Sequence, residues 1–210
     1  MDRDFWHRKW ASNEIGFHER APNPLMLAHI GRLGLAQGSR VFVPLCGKSL
    51  DLHWLLGQGY RVAGVELSQL AVDTLFASLG VTPEVSVAAD LLHYRADNID
   101  IFVGDIFSLS GEVLGAVDAV YDRAALVALP EAMRARYCAH VTQLAAAAPQ
   151  LLICYQYDQA IMAGPPFSIG DEEVRQRYGD VYDVTLLDKV DVAGGFKGRF
   201  PALEAVWLLT

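Results

Sequence analysis

A chain of 210 residues, 52 % of them hydrophobic, is long enough for one domain with a sizeable core, residues 1–210. Its formal net charge of −8 disfavours a bulk nucleic-acid partner, because such binding needs many Lys and Arg to replace counterions on phosphates. Three widely spaced cysteines, Cys46, Cys138 and Cys154, argue against a disulfide framework and against a zinc site, and they suit a reducing cytoplasm.

The opening MDRDFWHRKW is charged and aromatic and lacks the apolar segment of a secretory signal. Residues 4–12 read as a short helix carrying Phe5, Trp6 and Trp10, followed by the loop SNEIGFHERAP. Asn23 is a good N-cap and Pro24 suits the first helical position, so a second helix starts there, with Leu25, Met26, His29, Ile30 and Leu33 at helical spacing and Gly34 as its stop.

From residue 40 strands and helices alternate. RVFVPL is a strand, 49–57 a helix, YRVAGVEL a second strand, and Ser68 caps a helix striped by Ala71, Val72, Leu75, Phe76 and Leu79. LLHYRADNIDIFVGD reads as a hairpin-like pair around ADN, and GAVDAVYDR as another strand. A long helix covers about 131–147, then QLLICYQY is a strand buried on both faces. The apolar stretch around it is broken by Pro149, Gln150 and Gln156, so no membrane span is expected. A helix near 171–178 and strands near 181–190 and 203–209, joined by VAGGFKGRF, complete the chain. This alternation predicts an α/β fold with a doubly wound, mostly parallel sheet and an antiparallel hairpin at one edge. Such sheets bind ligands at the carboxyl ends of their strands.

The loop after the first strand, PLCGKS, ends like a P-loop. A P-loop needs a glycine at position 42, where Phe42 stands inside the strand. A dinucleotide site needs G-x-G-x-x-G, and this loop has one glycine, Gly47. What remains is a cofactor with an adenosine and no phosphates. Glu66 ends the second strand, where a carboxylate can take both ribose hydroxyls, although it could also merely cap the helix opening at Ser68. Together these features favour S-adenosylmethionine (SAM).

FWHRKWASNEIGFHE, VFVPLCGKSLDLHWLL, VAGVELS, VYDRAALVALP and YDQAIMAGPPFS, in this order and spacing over roughly 5–170, resemble the thiopurine S-methyltransferase family in its bacterial form. The resemblance implies a Rossmann-like class I methyltransferase fold with a seven-stranded sheet, and a cytosolic enzyme that moves a methyl group from SAM to the sulfur of thiopurines and related aromatic thiols. Selenium or tellurium compounds are further acceptors associated with bacterial members. It places cofactor contacts on Trp10, Leu45, Glu66 and Arg123, and the adenine on Ile106 with its neighbour Asp105. Phe17 borders cofactor and substrate.

The residues themselves allow further readings. Trp10 lies in a segment, 1–22, that could fold over the site as a lid, or could simply anchor to the core; its ring suits a sulfonium. Leu45 and Ile106 would otherwise be ordinary core. Arg123, at the carboxyl end of a buried strand, can hold the SAM carboxylate and face the acceptor, or pair with Asp118 or Asp122. Arg199 in the late turn could meet an anionic acceptor. Cys46 reads as packing, Gly47 as permitting close backbone approach, Lys48 as a solvated charge, His18 as a hydrogen-bonding surface residue that could also contact substrate, and AGPPF as a loop bordering the acceptor. No catalytic acid or base is assigned: the sulfonium activates the methyl and an aromatic thiol supplies its own thiolate. The expected partner is a small-molecule thiol or chalcogen compound, with no nucleic acid, membrane or metal, and the chain is expected to be a monomer. A SAM-dependent methyltransferase of another small nucleophile and a non-catalytic SAM-binding protein of this fold are the alternatives.

Overall fold

The computed structural model describes residues 3–16, 18–196 and 198–210. Helix α1 (Arg3–Ala11) precedes α2 (Pro24–His29), which runs on as a 3-10 turn to Leu33. The Asn23 side chain accepts the Leu25 and Met26 amides at 3.0 Å and so caps α2. Next come β1 (Arg40–Pro44), α3 (Leu50–Gly57), β2 (Arg61–Glu66) and α4 (Gln69–Leu79). Ser49 and Ser68 cap these two helices, and Gly80, at φ 70, ends α4 in the left-handed conformation.

Three strands follow: β3 (Glu84–Ala88), β4 (Leu91–Ala96) and β5 (Ile99–Val103). The turn between β4 and β5 uses Asn98 at φ 63, a backbone state that asparagine tolerates. The rest is the short α5 (Gly111–Leu114), β6 (Ala119–Arg123), α6 (Glu131–Leu144), β7 (Gln150–Gln156), α7 (Asp171–Tyr178), β8 (Val184–Asp191) and β9 (Leu203–Leu209). Helix α6 stops before the expected residue 147 because Ala146 and Ala147 take positive φ, 49 and 56.

The sheet order is β3-β4-β5-β2-β1-β6-β7-β9-β8. Strands β5, β2, β1, β6 and β7 run parallel, and β9 and β8 add an antiparallel edge pair, which makes the seven strands expected. The sheet has nine, however. Strands β4 and β3 extend it antiparallel beyond β5. β3 carries no buried face: all but its last residue are exposed, so the usual apolar alternation of a strand is not tied to burial there.

Alternate residues of the central strands feed two cores. Val41 and Val43 point to the layer of α2, α3 and α4, with Met26, Leu52, Leu55, Val72 and Leu75. Phe42 and Val120 point to the layer of α6 and α7, with Tyr137, Val141, Leu152 and Trp207. Each such side chain, removed from water, contributes about 1.5–3 kcal/mol. This burial on both faces fixes strand register, because a slip of one residue would exchange the two cores. It thereby fixes where β1, β2, β5 and β6 end.

Candidate functional site

The chain leaves β1 for β2 on one side and later returns to β6 on the other, so the crevice between the carboxyl ends of β1 and β6 is the switch point of the sheet. A cavity of about 650 Å³ opens there. That is within the roughly 300–1,000 Å³ usual for small-molecule sites. Trp10, Leu45, Glu66, Asp105, Ile106 and Arg123 all lie on its wall. The structure therefore brings together six residues drawn from five separate stretches of sequence. Phe17 lies outside the described residues. Arg199 is exposed in the β8–β9 turn and does not reach the cavity wall.

Glu66 is 6 % exposed at the tip of β2. Its Oε2 accepts the Gly47 amide at 2.9 Å and its Oε1 the Ser68 amide at 2.8 Å. The Leu67 amide and the Trp10 side chain also hydrogen-bond to it. Burial raises its pKa, and these donors offset part of that rise. The helix-capping alternative is thus half right: the carboxylate does hold the start of α4, while also forming cavity wall. Gly47 stands at φ 53, and a Cβ there would come within 3.0 Å of the Trp10 ring, so the loop and the indole approach as closely as only glycine allows.

Arg123 pairs with neither Asp118 nor Asp122. Asp118 accepts the Arg40 amide, and Asp122, on the opposite face of β6 by strand alternation, accepts the Tyr137 hydroxyl. The guanidinium meets Glu19 instead, and Tyr155 as well. Its side chain is only 8 % exposed. Burial works against its charge, but Glu19, Tyr121, Tyr155 and Asp51 more than compensate and raise its pKa. Asp105 is likewise opposed by burial, yet Arg3, the Phe107 amide and Arg136 hold its carboxyl below the usual range. Arg3 reaches it from α1 at 2.8 Å.

His18 was expected at the surface, and it lines the cavity half-buried. Burial, with Lys48 and Arg123 nearby, lowers its pKa. Lys48, expected in solvent, is also half-buried on the wall. Glu19, Asp51, Tyr121 and Tyr155 were not anticipated. For Tyr121 a signal existed: it sits two residues before Arg123 on the same strand and so on the same face. Cys46 packs as expected, 6 % exposed, with its Sγ 2.8 Å from where a Gly64 Cβ would stand. Gly164, Pro165 and Pro166 border the cavity.

Residues 1–205 match the model of the family described as thiopurine S-methyltransferase (TPMT). The chain belongs to the thiopurine S-methyltransferase family. A thiopurine S-methyltransferase of Xanthobacter autotrophicus is 55 % identical over 210 residues, covering 100 % of this chain and 99 % of that protein. Another, from Teredinibacter turnerae, is 52 % identical over 210 residues, covering 100 % and 98 %. Among solved structures, a Burkholderia thailandensis 1,6-didemethyltoxoflavin-N1-methyltransferase with bound S-adenosylhomocysteine (SAH) superposes with a TM-score of 0.68 at 16 % identity, covering 99 % of this chain and 87 % of that one. A magnesium protoporphyrin IX methyltransferase from Synechocystis, also with bound SAH, gives 0.63 at 13 % identity and 100 % of both chains. The fold is that of SAM-dependent methyltransferases, and SAM is the methyl donor of this family.

Proposed function

We propose that this chain transfers the methyl group of SAM to the sulfur of thiopurines and related aromatic or heterocyclic thiols, with selenium or tellurium compounds as further acceptors. One observation carries the reading beyond family membership: Glu66 and Arg123 face one cavity from the ends of β2 and β6, beside a loop with no phosphate cradle. That donor set suits an adenosine joined to an amino acid. Glu66 would take the ribose hydroxyls and Arg123 the carboxylate of the amino-acid tail. Ile106 and Asp105 would border the adenine, the Leu45 backbone the methionine part, and Trp10 would cover them. Phe17 would border the acceptor.

When bound, SAM supplies a methyl group already activated by its sulfonium. The chain's own residues orient and shield. Burial raises the pKa of Cys46 and of Tyr121 well above their ordinary values, so both stay protonated at neutral pH and neither is a nucleophile. The reading therefore has direct transfer, with no covalent enzyme intermediate. Aligning the two reactants is worth ~7–11 kcal/mol in favourable cases. Phe5, Trp6 and Trp10 of α1 line the cavity and would exclude water, so residues 1–22 serve as a lid.

The same reading makes the enzyme a cytoplasmic monomer acting on a small molecule, without nucleic acid or membrane as partner. Among the described residues no helix is long and apolar enough to cross a membrane. The test is transfer from methyl-labelled SAM to 6-mercaptopurine, thiophenol and selenite. Labelled S-methyl product from the two thiols is expected, and labelled Se-methyl product from selenite. SAH binding without label on any sulfur would reject the reading.

A further inference from the structure

Tyr121 and Arg123 lie two residues apart on β6 and face the same way. A line of hydrogen bonds leaves β6 at one and returns at the other. The Tyr121 hydroxyl donates to Asp51 Oδ2 at 2.9 Å. Asp51 Oδ1 accepts the Asn23 amide at 2.7 Å. The Asn23 side-chain nitrogen, left over once its oxygen has capped α2, reaches both Glu19 oxygens at 3.4 Å. Glu19 in turn takes Nη2 of Arg123. Asp51 and Asn23 are 2 % and 1 % exposed, so the far half of this ring is fixed in the interior.

From this ring we infer that Glu19 is a positioning residue for Arg123: it holds the guanidinium plane so that its other donors face the carboxylate of the cofactor's amino-acid tail. The inference rests on the Arg123 role given above and deepens it. A guanidinium has five donors in a rigid fork, so Glu19 on Nη2 and Tyr155 beside it do not use them all, and a ligand carboxylate can be met by the same group. A long side chain without such a partner would spread over several rotamers, and a ligand carboxylate would then have to bear the cost of ordering it. The anchoring of Glu19 by Asn23 is what separates a holder from a competitor. A competing carboxylate would need to move away when ligand arrives, whereas this one is tied to the cap of α2.

The experiment compares binding of SAH with that of 5′-methylthioadenosine, which keeps the adenosine and the thioether and lacks the amino-acid tail. Both are titrated into the full-length protein by calorimetry. Glu19→Ala should weaken SAH by about tenfold and leave methylthioadenosine unchanged. Glu19→Gln, which keeps an oxygen for Nη2 and drops the charge, should show a smaller loss with the same selectivity, and it decides the matter if the alanine variant does not fold. Equal weakening of both ligands, or tighter SAH binding, overturns the inference. Arg123→Met is the companion variant. If it leaves the ratio of the two affinities unchanged, the parent role of Arg123 fails. If it changes the ratio while the Glu19 variants do not, only the role of Glu19 fails.

Discussion

Glu66 accepts the Gly47 amide at 2.9 Å from 19 residues away, and so ties the tip of β2 to the loop that leaves β1. Two strand ends that border the cavity are thereby locked to each other by a side chain that is itself part of the cavity wall.

Glu66→Gln tests this arrangement. The amide oxygen can still accept from one of the Gly47 and Ser68 amides, but the second site becomes a donor facing a donor. The affinity for SAH should fall by about tenfold or more, since hydrogen bonds to a charged acceptor contribute ~1.5–3 kcal/mol each. Calorimetry on the folded variant measures it. Unchanged affinity would remove Glu66 from the ribose.

Gly47→Ala addresses the close approach of loop and indole. The new Cβ would stand 3.0 Å from Trp10 Cζ2, at a φ of 53 that costs an L side chain ~1–2 kcal/mol. A lower melting temperature and a displaced Trp10 are expected, together with weaker SAH binding. Thermal melts and tryptophan fluorescence report both. Wild-type behaviour in all of them would show that glycine is not required there.

Asp122 sets a pH dependence of stability. It is fully buried, accepts the Tyr137 hydroxyl at 2.7 Å and the Leu126 amide at 3.1 Å, and burial raises its pKa from 3.8 to about 6. The folded chain therefore binds this proton more tightly than the unfolded chain does. Its stabilising contribution is complete below about pH 4 and is lost as pH rises through about 6. The shift corresponds to roughly 3 kcal/mol. Asp122→Asn cannot titrate. Relative to the wild type, its melting temperature should fall by roughly 6–12 °C between pH 7 and pH 4. Parallel melting curves would contradict the assignment.

Cys46→Ala should retain turnover within about threefold, because burial raises the pKa of this thiol and leaves it a packing group at the cavity wall. Loss of the truncated side chain costs stability, which a thermal melt will show separately. Abolished turnover in a folded variant would give Cys46 a chemical role.

Much of this molecule was legible in its sequence, and the gaps have physical causes. Helix α7 occupies the expected residues 171–178, and the β4–β5 turn falls at ADN, because periodicity and turn chemistry are local signals. Strand β3 went unread because it is an edge strand with Val85 and Val87 exposed, so no buried face marks it. Glu66 was accessible because the βαβ pattern alone defines where β2 ends. A carboxylate partner for Arg123 was sought among its sequence neighbours, and Glu19 lies 104 residues away in a loop, where no periodicity operates. His18 was left between surface and substrate for the same reason: a loop residue carries no sequence sign of the wall it faces.

The most direct measurement is calorimetric titration of the full-length protein with SAH, ATP and NADH in parallel. Saturable binding of SAH at one site, with no heat from either phosphate-bearing ligand, is the expected result. Binding of ATP or NADH with no response to SAH would contradict a cavity built for an adenosine that carries an amino acid.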